Sequence, residues 1–308
     1  MPQVSVILPN YNYARYLKER VTSILAQTMR DFELIYLDDA STDKSNMVIH
    51  QFSEDPRLHL NLFEHNSGTV YRRWNEGAAQ ATGDWLWFPN ADDSAHPRFL
   101  ERLLALARQY PTSAILYSRP ATIDGKGCLC SMYCNWCSET TQALEGNFFC
   151  VGQEAIKRLS KGCYLSTASS MLIRRDAFEE VHGFDVNLWG AADWDLYLHL
   201  LHRHDIASTV EPLAYRRQHG ANVTSTTRTL MWDLTSALCL ARAYRRMGGD
   251  PRYDGGAKQT MLRRVKGRIF DVFTNSPSQI TPELSLAAQE VFEIVPDKRL
   301  RRYMINIP

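Results

Sequence analysis

The sequence has no apolar run approaching the ~20 residues that a membrane-spanning helix needs. It also has almost no net charge, since 35 Lys and Arg stand against 34 Asp and Glu to leave +1. A polyanion-binding chain carries a basic excess, so nucleic acid is not expected as a partner. The first residues, MPQVSVILPNYN, offer only VSVIL before a proline and an asparagine, too short and wrongly flanked for a secretory signal. Glycine is missing from ILPNYNYARY, where a phosphate-cradling loop after a first strand would need it. Seven cysteines, an odd number without an export signal, fit a reducing compartment with free thiols and no disulfides. Cytoplasmic residence is therefore expected. No internal repeat or low-complexity tract is present.

What is there describes an ordinary globular chain: 308 residues, 44% apolar and 22% charged. That length implies one enlarged domain or a domain with an appendage. Short β-rich runs alternate with helix-period segments. VSVIL (4–8), ELIYL (33–37), LHLNLF (58–63) and WLWF (85–88) read as strands. Leu17, Val21, Ile24 and Leu25 recur at helical spacing, Ser41, Thr42 and Asp43 form a helix-start cluster, 69–82 reads as a helix ending at Gly83, and Pro97 opens another. Parallel strands need helical crossovers, so the alternation predicts a parallel, doubly wound sheet. Beyond residue 118 the pattern loosens to a hairpin turn at Asp124-Gly125, a strand at 169–174 and a helix from 192 to 204. TSTTR after Asn222 reads as a linker to a helical tail.

In open parallel sheets ligands bind outside the carboxyl ends of the strands. The second strand ends in Asp38-Asp39 and the fourth leads into Asn90-Ala91-Asp92-Asp93. Two acidic pairs along one edge repel unless a cation offsets them, and such oxygen-rich sites suit Mg²⁺ or Mn²⁺ holding phosphates. The plainer reading makes these aspartates helix caps; their repetition at two strand ends favours the site.

Taken in order, VSVILPNYN, ELIYLDDASTD, GDWLWFPNADD and GFDVNLWGAADWDLYLHL resemble the inverting glycosyltransferases of family 2, over about residues 1–222. The resemblance implies a GT-A fold, an α/β, Rossmann-like, mostly parallel sheet flanked by helices. Residues 1–93 would be the nucleotide-binding half, 94–222 the acceptor-binding half and 223–308 a helical C-terminal extension. It further implies that Asp39 contacts the nucleotide base, that Pro9 and Tyr11 line the nucleotide pocket, and that Asp92 and Asp93 meet ribose and metal, with Asp93 the direct ligand. Asp193 falls at the position of the catalytic base, where helix-start dipoles favour its ionised form. Arg72 or Arg73, and Arg216, Arg217 and His219 of YRRQHGANVT, would stabilise the leaving group, His219 by touching metal or phosphate. The chain departs from the family pattern at Asn90, where many members carry Asp, and at Ala192, where Glu is common.

The implied reaction is a single displacement from a nucleotide-sugar, a UDP-sugar by family frequency, onto a hydroxyl of a glycan or lipid-linked glycan in surface polysaccharide synthesis. The alternatives are a sugar nucleotidyltransferase, which the missing glycines disfavour, and a nucleotide-sugar-binding protein without turnover. Cys128, Cys130, Cys134 and Cys137 raise a zinc site, though C-x-C is unusual in tetrahedral sites and Cys150 and Cys163 do not mend the spacing. In the tail, Met261, Val265, Ile269 and Val272 or Phe273 share a helix face, with Lys258, Arg263, Arg264, Lys266 and Arg268 largely on others. That helix would rest peripherally on an anionic membrane or pack on the protein.

Overall fold

The protein is seen here in a computed structural model that describes residues 1–132, 148–188, 190–220, 230–250, 253, 255–275, 282–295 and 297. Among the described residues twelve strands run β1 Val4–Asn10, β2 Phe32–Asp38, β3 Leu58–Leu62, β4 Trp85–Trp87, β5 Ser94–Ala95, β6 Ser113–Ser118, β7 Ala121–Ile123, β8 Leu129–Ser131, β9 Phe148–Cys150, β10 Met171–Arg174, β11 Asp205–Thr209 and β12 Ala214–Arg217. The helices are α1 Ala14–Leu25, α2 Ser45–Ile49, α3 Val70–Gln80, α4 Phe99–Gln109, α5 Gly152–Leu159, α6 Arg175–Glu180, α7 Ala192–Arg203, α8 Leu230–Met247, α9 Gly255–Asn275 and α10 Pro282–Ile294.

The chain divides into two compact units, the first made of 1–151, 164–184 and 204–219, the second of 152–163, 185–203 and 220–308. The second unit thus gathers two segments from before residue 222 along with the tail. The cause is packing: α7 lies against α5 and α8, and α8 against α9 and α10.

In the first unit an eight-stranded sheet runs β3-β2-β1-β4-β10-β6-β11-β9. Its first four strands are parallel, as the β-α alternation requires. β10 enters antiparallel between β4 and β6, so the sheet is mixed and only mostly parallel. Every residue of β1 is buried because the strand is covered on both faces. Val4, Val6 and Leu8 meet Leu17, Val21 and Ile24 of α1 and Phe99 and Leu103 of α4. Ile7 points the other way, toward α3, where Gly77 comes so close that a Cβ would stand 2.3 Å from its Cγ2. Trp87 stacks on Phe99 with centroids 4.4 Å apart and donates its indole N–H to the Ser169 carbonyl at 2.9 Å.

A second sheet, β5-β12-β7-β8, is absent from the sequence reading. Its strands are two to four residues long, below the length at which alternation can register. β7 and β8 form the hairpin expected at Asp124-Gly125, closed by the Asp124 carboxylate accepting from the Lys126 and Cys128 amides. Helix α3 begins as expected, with the Thr69 hydroxyl accepting from the Tyr71 N–H. The helix after Pro97 starts at Phe99.

In the second unit the apolar stripe of α9 is fully used. Met261, Val265, Ile269, Val272 and Phe273 are all buried, and the helix packs against α8. Of the two readings of this helix, the structure shows the apolar face packed on the protein. Among the described residues no helix is long and apolar enough to cross a membrane. The expected linker at 222–229 lies outside the described residues.

Candidate active site

β1 lies between β2 and β4: the chain runs from β1 through β2 to β3 on one side and then crosses to β4 on the other. That is a topological switch point, where open α/β sheets bind ligands. The two acidic pairs follow β2 and β4, so the fold brings them to the two sides of the carboxyl end of β1.

On the β2 side, Asp38 is committed to the loops. Its Oδ2 accepts from Asn10 Nδ2 at 3.0 Å and Tyr36 Oη at 2.9 Å, and its Oδ1 from the Ser41 N–H at 2.7 Å. Asn12 and Ala40 hold left-handed backbone, with φ of 60° and 65°; an asparagine tolerates this through local hydrogen bonds, and the Asn12 side-chain oxygen accepts from the Thr42 and Asp43 amides. Asp39, 6% exposed, accepts from the Ser67 N–H (2.8 Å) and hydroxyl (2.9 Å) and from Arg73 Nε at 2.6 Å. Arg73 spends its other nitrogens on Glu76 and the His65 carbonyl, and lies 3.4 Å over the Phe63 ring. Arg73 therefore acts here by holding Asp39, while Arg72 is exposed. Pro9 is buried in β1, and Tyr11 stands 45% exposed at its tip.

Removing one partner of a buried ion pair strands the other charge. Arg73→Met is expected to lower stability by about 3–5 kcal/mol, read as a drop in the urea midpoint with unchanged slope. A shift below about 1 kcal/mol, the range of exposed pairs, would mean that Asp39 finds other donors.

On the β4 side, the short second sheet does the assembling. β12 pairs with β5 directly after Asp93, and this brings the Arg217 N–H to Asp93 Oδ1 at 2.8 Å and His219 Nε2 to Asp92 Oδ2 at 3.1 Å. Asp93 Oδ2 also accepts from Asn90 Nδ2 and the Thr167 hydroxyl, each at 3.2 Å. An ionised aspartate at position 90 could not donate that bond, so Asn90 suits the Asp93 carboxylate. The Arg217 side chain donates to the Asp92 and Asp124 carbonyls and pairs with Glu19 at 2.6 Å. Burial, then the charge of Asp93, pushes Asp92 up to about 6 against the opposing pull of His219.

Helix α1 supplies residues that the sequence reading passed over. Tyr16 lies beside His219, centroids 5.0 Å apart, with Tyr13 at 6.2 Å. Burial, followed by the charges of Asp92 and Asp93, pushes the Tyr13 hydroxyl up to about 12. Arg20, wholly buried, lies 4.9 Å over the Trp87 ring; burial pulls it down to about 10 while Asp93 and Asp92 oppose. The spacing 13, 16, 20 is one helix face, a signal visible in YNYARYLKER.

The donor set can be tested against a divalent cation. A carboxylate offers about four lone-pair directions, and protein donors take three at Asp93. Asp92, Asp93 and His219 supply oxygen and imidazole nitrogen, which Mn²⁺ accepts, so the residues fit. Among the described residues no group of three or more His, Cys, Asp or Glu is already gathered in metal-holding geometry. For zinc, Cys134 and Cys137 lie outside the described residues, and among the described residues Cys128, Cys130, Cys150 and Cys163 belong to no group of three or more metal-ligating side chains.

In the second unit, Asp193 stands in the first turn of α7 and accepts from the Trp194 N–H at 2.7 Å. Burial pushes its carboxyl up to about 6, against the pull of the Trp194 amide, although some of its surface remains exposed.

The sequence model of the family described as Glycosyl transferase family 2 matches residues 5–181, more than half of the chain. A glycosyltransferase of Nostoc sp., described as uncharacterized, is 32% identical over 222 residues, 71% of this chain and 66% of its own length. TuaG of Bacillus subtilis, which its name assigns to teichuronic acid biosynthesis, is 36% identical over 104 residues, 33% of this chain and 41% of its own length. The chain thus spans just under two thirds of the first relative and well under half of the second. Among solved structures, S. aureus TarS 1–349 with UDP-GlcNAc aligns at a TM-score of 0.70 and 19% identity, covering 98% of this chain and 84% of that one. The mannosyltransferase PcManGT of Pyrobaculum calidifontis, with GDP-Man and Mn²⁺, aligns at 0.58 and 15% identity, covering 99% and 84%. At these identities the likeness to solved structures establishes the fold, which is of the GT-A type.

Proposed function

The chain belongs to glycosyltransferase family 2, and from that premise we propose that it is a metal-dependent, inverting glycosyltransferase. It moves a sugar from a UDP-sugar to a hydroxyl of a glycan or lipid-linked glycan in surface polysaccharide synthesis, on the cytoplasmic side of the membrane. The observation that carries this reading is the pair of acidic clusters flanking the end of β1, with His219 brought to Asp92 by the second sheet. UDP-GlcNAc on TarS, Mn²⁺ with GDP-Man on PcManGT and the name of TuaG support donor, metal and pathway class respectively.

In this mechanism Asp39, held rigid by Arg73 and Ser67, accepts from the nucleobase, with Pro9 and Tyr11 lining the pocket. Asp92 accepts from the ribose, and Asp92, Asp93 and His219 are the residues that would hold Mn²⁺ or Mg²⁺. When bound there, the cation offsets the charge of the leaving diphosphate. Asp193 removes the proton from the acceptor hydroxyl. The oxygen then bonds to the anomeric carbon as the bond to the diphosphate oxygen breaks and its electron pair leaves with UDP, which inverts the configuration. Arg217 orders the site by bracketing Asp93 and Asp92.

Calorimetric titration with UDP, GDP and dTDP, each with and without Mn²⁺, tests the reading. Binding of UDP alone that requires Mn²⁺ is the expected result, with UDP release from UDP-GlcNAc or UDP-glucose alongside it. Tight binding without release would mark a binder, and no binding under any condition would return the acidic pairs to being structural caps.

A further inference from the structure

The C-terminal helices carry a set of side chains that the transfer mechanism does not use. On α8, Trp232, Cys239, Arg242 and Arg246 recur at intervals of seven, three and four residues, which places them on one helix face. Each reaches the segment around Asp193. The ring of Trp232 is 3.3 Å from where a Cβ on Gly190 would stand, and Gly190 sits at φ +74°, so a side chain there would strain the backbone and crowd the Trp232 ring. The Cys239 thiol donates to the Ala191 carbonyl at 3.4 Å, and burial pushes that thiol up. Arg246 pairs with Asp195 at 3.2 and 3.5 Å. Arg242 reaches Asp185 at 2.8 Å, Asp195 at 4.0 Å and, from α10, Glu290 at 2.7 Å. Asp195 is 6% exposed, and its charge is met by two guanidinium groups. Among the described residues no cationic side chain pairs with Asp193.

From this arrangement we infer that the C-terminal helices are a clamp for the general base: Arg246, with Arg242 and Cys239, are positioning residues that fix the first turn of α7 through Asp195 and Ala191. The inference rests on the reading of Asp193 as the base. Its logic is that two carboxylates in one helical turn are given different work. Asp195 is neutralised and anchors the turn, while Asp193 meets no cation among the described residues and stays available for a proton. A neighbouring guanidinium at Asp193 would hold its proton off too strongly for it to serve as a base. Geometry matters at this step because a misplacement of ~1 Å can cost ~10²-fold in rate.

The full chain carrying Arg246→Gln, Arg246→Lys, Asp195→Asn or the double substitution Arg246→Gln with Asp195→Asn provides the test. Arg246→Gln is expected to lower the kcat for UDP release about 10–100-fold, with KM for the UDP-sugar and the Mn²⁺-dependent UDP titration unchanged. Arg246→Lys should recover part of the loss. The double substitution should cost less than the sum of Arg246→Gln and Asp195→Asn, because the two share the Arg246–Asp195 contact while Asp195→Asn also removes the one to Arg242. Hydrogen exchange gives a reading that does not depend on turnover: amides 191–197 should lose protection in Arg246→Gln while those of Gly255–Asn275 keep theirs. Unchanged protection at 191–197, or additive effects in the double substitution, would overturn the clamp. If Asp193→Asn itself leaves turnover intact, the base reading fails, whereas loss of turnover in Asp193→Asn with full activity in Arg246→Gln removes the clamp alone.

Discussion

Asp193→Asn is expected to lower turnover by about 10²–10⁴-fold, the range that positioned acid–base catalysis supplies, and to leave Mn²⁺-dependent nucleotide binding unchanged. Asparagine keeps the size and the hydrogen bond from the Trp194 amide but cannot take a proton from an alcohol. The same carboxylate predicts the pH profile. Burial raises it from 3.8 to about 6, so the basic form is lost as pH falls through about 6, and kcat/KM should drop about tenfold per pH unit below that point and level off above it. The stability sign is the reverse of the usual aspartate case. A raised folded value means that the folded protein holds the proton more tightly, so this side chain's favourable contribution is present below about pH 3.8 and lost as pH rises through about 6. Because Asp193 retains some exposed surface, the difference is discounted to about 1–3 kcal/mol. Asp193→Asn should therefore unfold at a higher urea concentration than the native protein at pH 8, with the gap closing toward pH 4. Full activity in the substituted protein would remove the base from this position.

Asp93→Asn is expected to weaken Mn²⁺-dependent UDP binding by at least about 100-fold, beyond the 10–100-fold typical of residues that only orient metal ligands. The substitution removes a negative charge and points an amide toward groups that already donate. The Arg217 N–H, Asn90 Nδ2 and the Thr167 hydroxyl all face this carboxylate, and a buried donor left unmatched costs about 1–3 kcal/mol. A fall in melting temperature should accompany the binding loss. Titration of UDP without metal serves as the baseline and should show no binding in either protein. Survival of the Mn²⁺-dependent binding would make Asp93 a bracket for β12 and leave the cation to Asp92 and His219.

Much of this site was legible before the fold was seen, for a local reason. The acidic pairs sit where short apolar runs end, and strand ends are announced by composition within a few residues. Asp38-Asp39 and Asp92-Asp93 could therefore be placed at strand tips, and the parallel order of β1 to β4 put those tips along one edge. The division of labour within each pair was not legible. Asp38 spends its oxygens on Asn10, Tyr36 and Ser41, and Arg73 holds Asp39 rather than reaching out as a free cation. Asn10 lies 28 positions from Asp38 and Arg73 lies 34 from Asp39.

The sequence by itself determined the α/β alternation, the strand-end carboxylates, the family and the apolar faces of the tail helices. These follow from period, composition and motif order, which act over one element at a time. Only the tertiary structure decided that β12 lies beside β5, that His219 therefore meets Asp92, that the apolar stripe of α9 is buried on α8, and that Arg242 and Arg246 grip Asp195. The side-chain pairs among these join residues about 50 to 127 positions apart, and their partners are chosen by packing and charge pairing in the folded chain, for which two-residue strands and scattered arginines leave no periodic trace.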